Sequence, residues 1–352
     1  MDIFQKAYNY TKVTEAIEKG IYPYFIPLEE SEGTEAYYHG KHLIMCGANN
    51  YLGLTTHPKV RQAAKDAIEK YGTSCSGSRF LNGTLALHEQ LEEELADWIG
   101  KDSAIVFTTG MLTNLGTVSA LAGRGDYIIL DKDDHASIVD GARLSMGGKM
   151  ARYTHNDMQH LDEVLAGLPE KAGKLVVADG LFSMEGDLAP VPEMAKICKK
   201  YGARLMIDDA HGMGVMGNGH GTVAQFGATD DVDLIMATFS KAFASLGGVV
   251  AGDKEVISYI KHNARALIFS ASIPPANAAA TLEALRILRD EEPDRPARVL
   301  AIAEHMRNEL RGMGFNLGNS VTPVVPIIIG ENEKTFLFWK GLMEIGVFVN
   351  PV

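Results

Sequence analysis

Cysteine is scarce in this chain, with three in 352 residues, and Cys46, Cys75 and Cys198 stand far apart. No two have the close spacing of zinc ligands, so neither a disulfide framework nor a zinc site is expected, and the metal expectation is none. Unpaired cysteines suit a reducing compartment. Long apolar runs are also absent, and nothing approaches the roughly 18 residues of a membrane-spanning helix. The start, Met1-Asp-Ile-Phe-Gln-Lys6, has no basic-then-apolar leader, and the expected location is cytoplasmic. Basic residues are outnumbered, 33 to 45, and the net charge of −12 argues against nucleic acid or an anionic membrane as a general partner. Neither internal repeats nor low-complexity tracts occur. Hydrophobic content of 46% over this length is ample for a buried core.

What is present is a series of short apolar segments separated by helical periodicity. Residues 1–40 read as an arm with a short hairpin, and Leu43–Cys46 as a strand. A helix runs from near Pro58 to Gly72, another through Leu91, Leu95 and Trp98 to Gly100. The small-residue loop between them, Gly72–Gly83, carries one basic side chain, Arg79, a candidate for an anionic substrate. Strands follow at 104–107, 127–130, 175–178, 204–207 and 234–237, with helices between. That alternation predicts an α/β fold with a mostly parallel central sheet covered on both faces. Helices dominate from Gly252 to about residue 313. Val324–Ile329, a helix over about 333–345, and Val347–Asn350 then suggest a small C-terminal α/β domain. The expected division is an arm (1–45), a large domain (46–290) and a small domain (291–352) cut short after its last strand.

Five strand ends carry polar residues with chemical potential. Asp233–Gly248 contains Thr238-Phe-Ser-Lys241, a lysine closing a buried strand. Burial lowers an ammonium pKa and leaves an amine able to form a Schiff base, and the hydroxyls of Thr238 and Ser240 suit a phosphate. Pyridoxal phosphate (PLP) is the cofactor this pattern suggests. Asp208-Asp-Ala-His211 ends another strand. Asp208 could keep a pyridine nitrogen protonated and His211 could reach a ring oxygen; a metal pair or a helix cap would use the same residues. Thr109-Gly-Met-Leu is a strand-to-helix turn whose free amides favour phosphate, although many such turns bind nothing. His135 could stack on a flat cofactor or be an ordinary loop histidine, and Ser183 could face the cofactor or cap a turn.

Taken with Asn49-Asn-Tyr-Leu-Gly53, Asp134-His-Ala-Ser-Ile138, Phe182-Ser-Met-Glu-Gly-Asp187 and Phe269-Ser-Ala-Ser-Ile-Pro-Pro275, these motifs resemble the α-oxoamine synthases. That family has the PLP-dependent fold type I, and the likeness covers essentially the whole chain. It implies Lys241 as the Schiff-base lysine, Asp208 at the pyridine nitrogen and His211 at the phenolic oxygen. His135 would stack on the ring and meet the substrate carboxylate, with Ser183 near the cofactor oxygen. The amides of Gly110 and Met111 and the hydroxyls of Thr238 and Ser240 would hold the phosphate. Ser270 and Ala271 would reach the phosphate of a second subunit, which implies a homodimer with shared sites. Asn49 or Asn50 would assist the substrate carboxylate.

Gly77–Thr84, Thr238–Lys241, Lys261–Arg265 and Gly346–Pro351 are most similar to members that join L-serine to palmitoyl-CoA. Those members release CoA and CO2 and give 3-ketodihydrosphingosine, the first step of sphingolipid synthesis. The alternatives are siblings that make 8-amino-7-oxononanoate or transfer acetyl to glycine. More remote are a fold type I aminotransferase and a non-catalytic partner subunit. Peripheral membrane contact is compatible with a lipid product. Family members continue to an arginine that clamps the substrate carboxylate, a role no residue here is assigned.

Overall fold

In the computed structural model, which describes residues 2–352, the strands are β1 (Glu30–Glu32), β2 (Glu35–Tyr38), β3 (Lys41–Met45), β4 (Ser103–Phe107), β5 (Tyr127–Asp131), β6 (Lys149–Tyr153), β7 (Lys174–Asp179), β8 (Arg204–Asp208), β9 (Leu234–Thr238), β10 (Gly248–Gly252) and β11 (Val347–Phe348). Seven of them form one sheet in the order β4-β10-β9-β8-β7-β5-β6. All are parallel except β10, which runs antiparallel to both of its neighbours. The parallel strands therefore deliver their carboxyl ends to one edge.

The strand residues explain why both faces are covered. Side chains of successive strand residues point to opposite faces. Val106, Ile129, Val176, Leu205, Ile207, Ile235 and Val249 fall in one apolar cluster, with Leu91, Leu95, Leu282 and Leu285 of flanking helices. Their neighbours Ile105, Ile128, Leu130, Val177, Met206, Met236 and Val250 fall in a second, with Val118, Ile138 and Ile260. Each such side chain, fully buried, stabilises the fold by about 1.5–3 kcal/mol. Continuous apolar runs, rather than alternation, are what a two-sided core demands.

The sheet contains two strands that apolar runs did not announce. β6 is an edge strand with mixed exposure, and β10 is built from Gly-Val-Val-Ala-Gly. Gly248 is needed because a Cβ there would lie 2.5 Å from Thr113 Oγ1 and 2.9 Å from the Gly110 backbone. Conversely, Val324–Ile329 forms no strand; Pro326 has no N–H for a ladder. The last strand is shorter than expected and ends at Phe348.

Two compact units emerge, one made of Met1–Asn49 with Ile327–Val352, the other of Asn50–Pro326. In the first, β11 adds in parallel to β3, forming a sheet β1-β2-β3-β11. The arm and the C-terminal segment thus share one sheet, whereas the sequence expectation set them apart. In the second, Thr322 Oγ1 donates to the Gly186 carbonyl at 3.0 Å, which ties the 320s to the loop after β7. Among the described residues no helix is long and apolar enough to cross a membrane.

Candidate active site

The large sheet brings Asp131, Asp179, Asp208 and Thr238 to its carboxyl edge, where ligands of open α/β sheets bind. Asp208, the last residue of β8, is 2% exposed. Its Oδ1 accepts the Ala210 amide at 3.0 Å and its Oδ2 accepts Asn114 Nδ2 at 2.6 Å.

Lys241 follows β9. Burial pulls its ammonium pKa below the ordinary lysine value, against the opposing charges of Asp208 and Asp179. The result is an amine that more readily loses its proton while two carboxylates remain close enough to act on it. His211, in the loop after β8, is pushed down to about 3, first by burial and then by the positive charges of Lys241 and His135. It is therefore a neutral ring near pH 7, and Tyr51 Oη lies 2.7 Å from its Nδ1.

A helix, Gly110–Leu121, starts directly after β4, capped by Thr109 Oγ1, which accepts the Leu112 amide at 3.1 Å. The first-turn amides of Gly110 and Met111 have no acceptor within the helix. Thr238 stands over this turn: a Cβ on Gly110 would come within 2.7 Å of Thr238 Oγ1. Thr238 Oγ1 and Ser240 Oγ are 3.1 Å apart. The Thr238 hydroxyl donates to the Gly247 carbonyl at 3.0 Å, and the free amides, the helix N-terminus and the neighbouring Ser240 hydroxyl make a cradle suited to a phosphate dianion.

His135 is exposed and caps the helix Ala136–Leu144. Its backbone N–H donates to Asp179 Oδ2 at 2.7 Å. Asp179 in turn donates its amide to Asp134 Oδ1 at 3.0 Å. Burial and then the Asp208 charge hold Asp179 well above the ordinary carboxylate range; burial and then the Asp179 charge do the same to Asp134. Ser183 is exposed on the turn after β7. The Thr108 hydroxyl donates to the Ala271 carbonyl at 2.6 Å, so Ser270 and Ala271 border the start of the phosphate cradle.

Three sequence expectations need comment. Arg79 is corrected: it is 6% exposed and its guanidinium is consumed by Glu92, at 2.7 and 3.1 Å, and by Thr84 Oγ1 at 3.2 Å. It is a buried cation paired with Glu92. Asn49 and Asn50 fall in different compact units. Asn50 Nδ2 donates to Thr55 Oγ1 at 2.8 Å. Residues that the sequence reading did not select are Tyr51, Asn114, Ser137 and Asp179. The only signal for them was proximity to motif residues, and burial of their polar groups became visible in the structure alone.

The donor set fits PLP: a hindered turn for phosphate, an amine of reduced basicity, and a buried, hydrogen-bonded carboxyl group for a ring nitrogen. Comparisons agree. Residues 41–352 match the aminotransferase class I and II family, and the chain belongs to it. Its fold is that of the fold type I PLP-dependent transferases. Among individual proteins, it is 52% identical to a serine palmitoyltransferase of Sphingobacterium spiritivorum, over 98% of this chain and 86% of that protein. A solved serine palmitoyltransferase from S. paucimobilis, with bound PLP–myriocin aldimine, superposes with a TM-score of 0.94 at 36% identity, covering 99% of this chain and 92% of that one. An 8-amino-7-oxononanoate synthase of Alkaliphilus metalliredigens is more distant, 40% identical over 97% of this chain and 86% of its own length.

Proposed function

We propose that this chain condenses L-serine with a long-chain acyl-CoA, releasing CoA and CO2 and giving a 3-keto long-chain amine. With palmitoyl-CoA the product is 3-ketodihydrosphingosine. The observation that carries the reading is the pairing of Lys241, an amine of lowered basicity, with the buried carboxylate of Asp208 on the neighbouring strand. The choice of serine over glycine, and of a long over a short acyl chain, is supported by the greater identity to serine palmitoyltransferases than to the 8-amino-7-oxononanoate synthase.

PLP, when bound, supplies an electron sink for negative charge developing at the amino-acid Cα. The chain's own residues do the rest. Lys241 would hold the cofactor through Nζ, and its amine would accept the Cα proton of the amino acid and later return it. Asp208, oriented by Asn114 Nδ2 and the Ala210 amide, would pair with the pyridine nitrogen. His211, neutral and backed by Tyr51, faces the phenolic oxygen. Gly110, Met111, Thr238 and Ser240 hold the phosphate, and Ser183 borders the ring. His135 would orient the substrate carboxylate, with Asn50 as a further donor. In a homodimer, Ser270 and Ala271 would reach the partner's phosphate site. A cytoplasmic location, with the lipid product handed to a membrane surface, completes the proposal.

The test is a panel of serine, glycine and alanine against short and long acyl-CoAs, reading CoA release. Serine with long chains should dominate. Preference for glycine with a short thioester would transfer the chain to a sibling activity. Amine exchange with keto acids and no CoA release would make it an aminotransferase.

A further inference from the structure

We infer that Asn114 and Ser137 fix the tautomer of the His135 ring, with Nδ1 as acceptor and the proton on Nε2, so that it meets its ligand as a hydrogen-bond donor. The inference rests on the proposed function only for what His135 faces; the proton's position follows from the hydrogen-bond chain itself. Asn114 Nδ2 donates to Asp208 Oδ2 at 2.6 Å and to Ser137 Oγ at 2.8 Å. The amide cannot be reversed, because Oδ1 would then oppose the Asp208 carboxylate, acceptor against acceptor. In the orientation found, Asn114 Oδ1 is buried with no hydrogen-bond partner among the described residues, the cost of satisfying the other two groups.

Ser137 is 2% exposed, and its Oγ lies 2.7 Å from His135 Nδ1. Having accepted from Asn114, this hydroxyl has its single proton left to give, and Nδ1 is the group that receives it. The Ser137 backbone N–H also points at Nδ1, at 3.3 Å. A ring nitrogen that accepts two donors carries no proton. In the neutral ring the proton therefore sits on Nε2. His135 so arranged is unsuited to act as a base through Nδ1 and suited to hold an anionic oxygen through Nε2–H. Asn114 and Ser137 act through it and are positioning residues. They also link it to Asp208, so the group at the proposed cofactor nitrogen and the group at the proposed substrate carboxylate share one hydrogen-bond chain.

The experiment is nitrogen NMR of the PLP-loaded enzyme with labelled histidine, near neutral pH, with His135 assigned by its loss in His135→Gln. The expected spectrum shows Nδ1 without a proton and Nε2 with a directly bonded one. Ser137→Ala should bring part of the ring to the Nδ1–H form and raise KM for L-serine about tenfold with a smaller change in kcat. Ser137→Thr, which keeps the hydroxyl, should restore both. A proton on Nδ1 in the unaltered protein, or a Ser137→Ala variant matching it in spectrum and KM, would overturn the inference. If serine is not a substrate, the spectrum alone still decides the tautomer. If CoA release from serine persists while the tautomer is wrong, this inference falls and the proposed function stands.

Discussion

Tyr51 Oη and His211 Nδ1 stand 2.7 Å apart, with burial raising the phenol's pKa and lowering the imidazole's to about 3. Both partners are thus neutral near pH 7, and the phenol, the better acid, donates to the ring. Tyr51→Phe removes that donor while preserving the aromatic contact at 6.0 Å. The expected loss is about 0.5–1.5 kcal/mol of stability, measured by chemical denaturation. A shifted visible spectrum of the PLP-loaded enzyme should accompany it, since His211 loses its orientation.

The phosphate cradle is tested by bulk. Gly110→Ala places a methyl 2.7 Å from Thr238 Oγ1 and 2.9 Å from Thr238 Cβ. PLP should bind at least about tenfold more weakly, a loss of about 1.4 kcal/mol. Equilibrium titration of the apoenzyme measures it, and the fold, read by far-UV circular dichroism, should be retained.

Arg79 and Glu92 form a buried ion pair whose acidic partner also accepts the Val106 amide of β4 at 2.9 Å. Removing one partner leaves the other charge buried and alone. Arg79→Met is expected to destabilise by about 3–5 kcal/mol. Folded Arg79→Met protein should keep the KM for serine of the unaltered chain, because Arg79 has no role at the substrate. A selective rise in KM would return it to the site.

The pH dependence of stability should carry a signature of Asp209. Burial raises its pKa from 3.8 to about 7, although the Thr222 amide donates to Oδ2 at 2.6 Å. The folded state therefore retains a proton that the unfolded chain releases. That contribution is full below about 3.8 and is lost as pH rises toward about 7. Asp209→Asn, neutral throughout, should flatten the decline over this window. Denaturation midpoints of both proteins from acid to neutral pH give the comparison.

Much of this was legible in the sequence because burial and chemistry used different residue types. The central parallel strands carry short apolar runs of Val, Ile, Leu, Met and Ala, and each gives way abruptly to polar residues at the carboxyl edge. That contrast is what singles out Asp208, His211, Thr238 and Lys241 as candidates in the sequence. β10 was not legible, since a strand pressed against the Gly110 turn must be glycine-ended and loses the apolar signal. Arg79 misled because a lone cation in a small-residue loop looks available until Glu92, thirteen positions later, is seen beside it. Asn114 and Ser137 sit inside helices, where nothing in the sequence marks a polar side chain as turned toward a strand end.

The most direct test of the account is to reduce the PLP-loaded protein with borohydride and map the labelled peptide by mass. The prediction is a single pyridoxyl group on Lys241, absent from Lys241→Ala, which should also release no CoA. A label on another lysine, or CoA release from serine and palmitoyl-CoA by Lys241→Ala, would contradict it.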